Sequence, residues 1–523
     1  MHTSATFELP PLFEFSAIGA ENNPNRVAFG EGPDGREVTW REFEDDSLRA
    51  ADAFRDYVGQ GDRVAFLCDC SIDHVTLWNG AMKAGAVVSN LHTRASTETL
   101  AYCIDELRPS VLVLDATFSD TLETALADRV STDLDAVVTI GRTGAPYEES
   151  LESFLAGHEP VAPDVRIGED DVACVQWTSG TTGRPKGWCH THRGLGHKAL
   201  LLQDLLHLDR TAAQAHVFTP SFAAWYSLIL PALYASAATY FLEDWDAETY
   251  VELIESRSIT MADLIPTMWQ EVLRVDDLEA YDLGSLRRAI TSGEALDEST
   301  LTGIRERICD SVYNSYAATE VLGTYISDRE LEGDRIKSVG KPMSATRIRI
   351  VDPGGPPDTT KESGEVGEII VKGPDCAVWA WNDTEKTEEA FEDGWWFSGD
   401  LGYKDDDGYL FVEGRTDFMI KSKGIKVFPT PIEERLLDHP GVAQAVVVGV
   451  DDEEFGEKVV AAVRRSDPDV TAEELAEWCL ESETVARFER PREFHFLEEA
   501  FPRTATEKLD RQSVRDLLED ARE

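Results

Sequence analysis

Residues 172–187 read Val172-Ala173-Cys174-Val175-Gln176-Trp177-Thr178-Ser179-Gly180-Thr181-Thr182-Gly183-Arg184-Pro185-Lys186-Gly187. The opening run is apolar and short, which predicts a strand over 172–176. The glycines that follow permit positive φ and close approach of the main chain, so successive amides can turn towards phosphate oxygens. The hydroxyls of Thr178, Ser179, Thr181 and Thr182 add donors, and Lys186 adds a point charge. A Walker P-loop closes on Gly-Lys-Ser/Thr. Here Pro185 precedes Lys186 and Gly187 follows it, so that reading fails. A plain surface turn is the competing explanation, but an ordered run of small and hydroxyl residues closed by Pro-Lys-Gly points to phosphate.

Outward from this loop, short apolar runs at 63–67, 111–114 and 136–140 read as strands, and 48–57 reads as a helix. Residues 252–257, 259–265 and 266–273 continue the alternation as helix, strand and helix. Such alternation predicts an α/β fold with doubly wound parallel sheets. Beyond residue 344 the strands shorten, at 346–351, 367–371 and 408–413, around the turn-rich segment 352–367; this is a β-rich subdomain. From residue 415, strands at 445–450 and 458–463 with helices from Ala472 and Arg511 predict a small α+β domain. A chain of 523 residues is too long for one ordinary core. The expected organisation is a large N-terminal domain, 1–414, and a small mobile C-terminal domain, 415–523.

Between Thr211 and Leu242 there is no Asp, Glu, Lys or Arg. Pro231, Ser227, Ser236 and Thr239 interrupt the stretch, so a buried helix and a strand at 237–242 are expected rather than a membrane span.

Acidic residues outnumber basic ones 99 to 49, for a formal net charge of -50. That balance argues against nucleic-acid and anionic-membrane partners, which need basic patches. The acid is dispersed, and the expectation is adaptation to high salt: near 1 M the Debye length is about 3 Å and surface repulsion is screened. A moderately acidic protein of ordinary salt is the alternative. Eight cysteines in so long a chain make no disulfide scaffold. Cys68 and Cys70 lack a matching second pair and are expected to be buried, reduced thiols. The N-terminus shows no basic region followed by an apolar run, so a cytoplasmic location is expected.

Further motifs follow in order: Ser292-Gly293-Glu294-Ala295, Asn314-Ser315-Tyr316-Ala317-Ala318-Thr319-Glu320, Trp395-Trp396-Phe397-Ser398-Gly399-Asp400, Gly414-Arg415-Thr416-Asp417-Phe418-Met419-Ile420-Lys421-Ser422-Lys423-Gly424 and Pro502-Arg503-Thr504-Ala505-Thr506-Glu507-Lys508. Taken singly, several have ordinary readings. Residues 314–320 could start a helix with a capping acid, Asp400 could be a turn aspartate, and Lys508 could be a solvated surface lysine. Together with the glycine loop, and from about Asn22 to Leu518, they closely resemble the superfamily of AMP-forming acyl-CoA synthetases, peptide-synthetase adenylation domains and beetle luciferases.

The resemblance implies that ATP activates a carboxylic acid to an acyl-adenylate with loss of pyrophosphate, and that a thiol, coenzyme A, then takes the acyl group. It implies phosphate contacts from Thr178, Ser179, Gly180, Thr181, Thr182, Gly183 and Lys186. Gly293, Glu294, Ala295, Asn314 and Ser315 would flank the adenine, with Tyr316 stacked on it. Thr319 would touch the α-phosphate, Glu320 would hold Mg²⁺, Asp400 would accept the ribose hydroxyls, and Arg415 would reach ribose or phosphates. Asp417 would be the interdomain pivot, Lys421, Lys423 and Gly424 would approach nucleotide or pantetheine, and Lys508 would be the catalytic lysine. Ala223, Trp225 and Ala317 would line the acyl pocket.

Three positions depart from the family pattern. Glu507 replaces the glycine before the catalytic lysine. Ala317 replaces a glycine that lines the acyl pocket, which favours a short or medium chain or a compact branched or aromatic acid. Ala223 replaces the aspartate that binds an amino acid's ammonium, and an unpaired buried ammonium is costly. The expected partners are therefore a small carboxylic acid, ATP and CoA, without nucleic acid or a membrane span, and with a homodimer left open. Loading of a separate carrier protein, or a non-catalytic nucleotide-binding regulator, stand as the alternatives.

Overall fold

The computed structural model describes residues 10–127, 134–141, 149–178, 184–294, 296–327, 330–482, 485–502 and 509–520. Packing divides the chain into two compact units, 1–348 with 371–396, and 349–370 with 397–523.

The first unit is built on two large sheets. One has eight strands in the order Trp379–Ala380, Lys186–Thr191, Val172–Thr178, Val87–Asn90, Arg63–Leu67, Val111–Asp115, Ala136–Ile140 and Glu149–Ser150. The other has nine, in the order Lys341–Pro342, Leu322–Ile326, Val312–Ala317, Arg288–Ser292, Met261–Asp263, Ala213–His216, Ala238–Phe241, Val27–Glu31 and Glu37–Thr39. The inner strands of both pair in parallel; antiparallel strands close both edges of the nine-stranded sheet and one edge of the eight-stranded sheet, whose other edge strand, Glu149–Ser150, is parallel. This is the doubly wound α/β pattern expected from the alternation of apolar runs.

Helices fill the interior of this unit. Phe29, Trp40, Phe43, Phe66, Trp78, Trp225, Tyr226 and Phe241 join strands of both sheets and three helices in one core cluster. The helix Ile72–Lys83 is buried along almost its whole length. The uncharged stretch forms the helix Ala223–Ala235 and the strand Ala238–Phe241. A helix apolar on all sides belongs in a core, and 13 residues span only about 20 Å. Among the described residues no helix is long and apolar enough to cross a membrane.

Strands expected at 63–67 and 136–140 and the helix at 266–273 have those bounds. The first long helix starts earlier than its apolar pattern, as Trp40–Phe54, because Thr39 and Glu42 form a capping box. The strand expected over 259–265 shortens to Met261–Asp263 because Pro266 opens the next helix with Ile265 as its N-cap.

In the second unit, Gly367–Lys372 lies between Arg347–Val351 and Trp395–Lys404, and Leu410–Arg415 pairs antiparallel with the last. That pairing groups residues 397–414 with the C-terminal residues, so the compact units do not divide at 414/415. A second sheet has the order Ile425–Val427, Ile420–Ser422, Gly456–Arg465 and Val442–Asp452, with Glu493–Phe496 parallel to Gly456–Arg465. Side-chain alternation divides its central strands. Val447, Val459, Ala461 and Val463 pack on Ile432, Leu436, Leu475 and Cys479. Val446, Val448, Val450, Val460 and Ala462 pack on Phe501, Val514 and Leu518.

Candidate active site

The parallel strands of the nine-stranded sheet end at one edge, the usual ligand edge of such sheets. Ser292 pairs with Ser315 in parallel register, so Gly293 and Glu294 emerge beside Ser315 and Tyr316. Gly293 turns the chain at φ +83°, a conformation that favours glycine. Glu294 accepts a 3.3 Å hydrogen bond from the Thr267 amide. Buried Asn314 donates to the Ser338 carbonyl at 3.3 Å and accepts from the Ser315 amide at 2.9 Å.

Residues 312–326 form a hairpin rather than a helix start. Tyr316 opposes Thr324, Ala317 opposes Leu322, and the register shifts between them. The Ala318 amide donates to the Val321 carbonyl at 2.9 Å and the Val321 amide donates back at 3.3 Å. Thr319 and Glu320 therefore occupy the tip of a tight turn, both half-buried, while Ala317 is exposed. The Tyr316 ring lies directly over Gly323: a Cβ there would sit 2.6 Å from Cδ1 and 2.7 Å from the Tyr316 carbonyl oxygen. Gly323 thus lets the Cδ1–Cε1 edge of the ring pack against the partner strand. Motif reading missed it, because only the three-dimensional pairing puts it under the tyrosine.

Two hydrogen bonds hold this turn from outside. The Ala377 amide donates to the Glu320 carbonyl at 2.7 Å, and Asp375 Oδ2 accepts from the Leu322 amide at 2.7 Å. Glu320 carries a hard carboxylate and the neighbouring Thr319 a hydroxyl, both at this turn tip. No group of three or more metal-binding side chains occurs among the described residues. A single carboxylate at the turn tip fits Mg²⁺, which uses one or two carboxylates and takes its other ligands from phosphate and water.

The glycine loop springs from an antiparallel pair in which Thr178 opposes Lys186 and Val172 opposes Thr191. Both Thr178 and Lys186 are half-buried. Arg184 lies 5.3 Å from the Tyr102 ring centroid. Ser179, Gly180, Thr181, Thr182 and Gly183 lie outside the described residues, as do Ala295, Glu507 and Lys508.

Ala223 is the first residue of its helix, half-buried, after the uncapped N-cap Phe222, whose ring meets His92 edge-on at 5.1 Å. Trp225 is fully buried and packs edge-on against Trp78 at 5.0 Å, Tyr226 at 5.0 Å and His74 at 5.4 Å. Its indole is part of the core. The two cysteines of the C-x-C are both free and buried, with Cys70 donating to the Phe218 carbonyl at 2.9 Å.

In the second unit, Asp400 and Arg415 face each other across paired strands and are joined at 2.9 Å. The same guanidinium reaches Asp417 at 3.6 Å. Gly399, at φ +70°, bends the chain before Asp400, and its amide donates to Glu368 at 3.2 Å. Burial pushes the Glu368 carboxyl above the usual range, against the hydrogen bonds from the Gly354 and Gly399 amides. Ser422 opposes Ile425, which makes Lys423-Gly424 a two-residue hairpin turn with φ of +51° and +79°, the signature of a type I′ turn. The Lys423 ammonium pairs with Glu454 at 2.7 Å and lies 4.1 Å over Phe455. The Lys421 amide donates to Glu457 at 2.6 Å.

Comparison with known proteins agrees with this architecture. The AMP-binding enzyme family matches residues 17–378, and the AMP-binding enzyme C-terminal domain matches residues 431–508. The 3-hydroxybenzoate--CoA/4-hydroxybenzoate--CoA ligase of Thauera aromatica is 30% identical over 495 residues, 92% of each chain. A feruloyl-CoA synthase of Amycolatopsis is 30% identical over 502 residues, 95% of this chain and 96% of that one. The crystal structure of ATP-bound MatB from Rhodopseudomonas palustris superposes with a TM-score of 0.86 at 25% identity, covering 98% of this chain and 99% of that one. The chain belongs to the AMP-binding enzymes, the adenylate-forming superfamily.

Proposed function

We propose that the protein is an AMP-forming carboxylate–CoA ligase acting on a compact acid, with an aromatic carboxylic acid as the favoured class. The observation that carries this reading is the 312–326 hairpin, which packs the Tyr316 ring against Gly323 and puts Thr319 and Glu320 at one turn tip. Two relatives at 30% identity carry the names of hydroxybenzoate and feruloyl ligases. Ala223 supplies no charge for an amino acid's ammonium, and Ala317 is small and exposed.

The barrier to the first half-reaction is electrostatic, because a carboxylate must approach an anionic α-phosphate. Cationic groups placed where charge develops are usually the largest catalytic contribution. In this reading the loop 178–183 and Lys186 receive the phosphates, the outer face of Tyr316 takes adenine, and Thr319 donates to the α-phosphate. Glu320 would hold Mg²⁺, which would supply positive charge to the triphosphate when bound. Asp400, oriented by Arg415, accepts the ribose hydroxyls. The Lys508 ammonium bridges the carboxylate and α-phosphate oxygens as pyrophosphate leaves. The CoA thiol then attacks the acyl carbonyl and AMP departs, with Lys421, Lys423 and Gly424 on the thiol's path. Asp417 is the pivot between the half-reactions, which makes 414/415 the functional domain boundary.

The free, mostly buried cysteines support a reducing cytoplasmic location. The charge of -50 supports operation at high salt. Incubation with ATP, CoA and a panel of carboxylates tests the assignment, with AMP, pyrophosphate and an aryl-CoA expected. ADP and phosphate as products would reject it, and acyl-AMP that is transferred only to a carrier protein would replace CoA as the acceptor.

A further inference from the structure

Behind the Thr319–Glu320 turn lies a group of buried polar side chains that the mechanism leaves unused. Lys198, on the helix His192–Leu206, is fully buried, and its ammonium makes no hydrogen bond. Its strongest charged neighbour is Asp375, and Glu320 also acts on it. Asp375 is itself fully buried, with Oδ1 unpartnered and Oδ2 on the Leu322 amide. His190, also fully buried, faces the Thr319 main chain.

A buried carboxylate is costly where an amide oxygen could accept the same hydrogen bond, and it persists only when a counter-charge faces it. The basic group that acts on it most strongly is Lys198, which makes no hydrogen bond with it. The segment 375–377 then fastens the turn on both sides of Val321, through Asp375 to Leu322 and through the Ala377 amide to Glu320. Gly373 makes the tight approach of Asp375 feasible, because a Cβ there would meet its Oδ1 at 2.8 Å.

We propose that Asp375, through its hydrogen bond to the Leu322 amide, is a positioning residue that fixes the Glu320 turn for the nucleotide-bound cation. The proposal rests on the assignment of Glu320 above. Groups that orient a metal-holding side chain typically change metal affinity or activity by 10- to 100-fold when removed.

The test compares wild type with Asp375→Ala, Lys198→Met/Asp375→Asn and Glu320→Gln. Calorimetry of ATP binding over a Mg²⁺ series is read beside the two half-reactions. Asp375→Ala should raise the Mg²⁺ concentration needed for half-maximal nucleotide binding by about tenfold or more. It should slow adenylation equally while sparing thioester formation from supplied acyl-AMP. The double variant keeps an oxygen for the Leu322 amide without either charge and should stay within about threefold of wild type, far inside the range for a lost orienting group. It also covers the case in which Asp375→Ala does not fold. Equal losses in both half-reactions, an unchanged Mg²⁺ series for Asp375→Ala, or a double variant with a tenfold loss would each overturn the proposal. If Glu320→Gln leaves the Mg²⁺ series unchanged, it is the Glu320 assignment that fails.

Discussion

Replacing Gly323 by alanine probes the hairpin on which the nucleotide reading depends. The new methyl would lie 2.6 Å from Tyr316 Cδ1, 3.1 Å from Cε1 and 2.7 Å from the Tyr316 carbonyl oxygen. The carbonyl cannot retreat without disturbing the Tyr316–Thr324 pairing, so the ring must tilt away. Overpacking of this kind costs about 1–3 kcal/mol of stability. A base stacked on an aromatic ring is worth about 1–3 kcal/mol, so displacing the ring should weaken ATP by roughly 5- to 150-fold. Equilibrium ATP binding and the KM for ATP in pyrophosphate exchange measure it, with Tyr316→Phe as the control that keeps the ring. The KM for CoA should be unchanged. An alanine variant that binds ATP as wild type does, or a Tyr316→Leu variant with unchanged ATP affinity, would refute the stacking argument.

Lys508→Ala should cut adenylation by orders of magnitude and spare thioester formation from supplied acyl-AMP; equal loss in both would contradict its role. Breaking the Arg415–Asp400 pair with Arg415→Met should raise the KM for ATP by at least tenfold, since a charge-assisted hydrogen bond contributes about 1.5–3 kcal/mol. Buried Asp263 has Oδ1 unpartnered, and burial pushes its pKa up to about 7. Its folded pKa therefore lies above its unfolded value, so the folded state holds the extra proton and stability falls as pH rises from about 4 to 7. Asp263→Asn should accordingly raise Tm at pH 8 and change it little at pH 4, and the reverse pattern would reject the assignment. Activity and Tm should both rise with KCl if the charge of -50 is an adaptation to salt; a maximum in dilute buffer would exclude this.

Elements with strong local signals were legible in the sequence. Arg63–Leu67 and Ala136–Ile140 are continuous apolar runs between turn residues, and Pro266 marks a helix start by itself. The uncharged segment was also legible, because its proline and hydroxyls fit a core better than a bilayer. What local pattern could not give was pairing at a distance. Gly323 under Tyr316, Asp375 on the Leu322 amide and Glu368 on the Gly399 amide join segments that share no motif. The hairpin at 312–326 was hidden for a related reason: Thr319 and Glu320 are as compatible with a first helical turn as with a tight reversal. For Trp225 the sequence allowed a pocket wall but favoured core packing, and its contacts with Trp78, Tyr226 and His74 are those of a core residue.

The order of strands in the nine-stranded sheet has a consequence for synthesis. Val27–Glu31 finds its parallel partner in Ala238–Phe241, about 210 residues later in translation. At 5–20 residues per second the ribosome needs roughly 10–40 s to deliver that partner. Until then one edge of an apolar strand waits unpaired in the nascent chain, while its opposite edge is paired with Glu37–Thr39. A fragment ending before Phe241 should thus be chaperone-bound or insoluble, and any split version of this protein should be cut elsewhere.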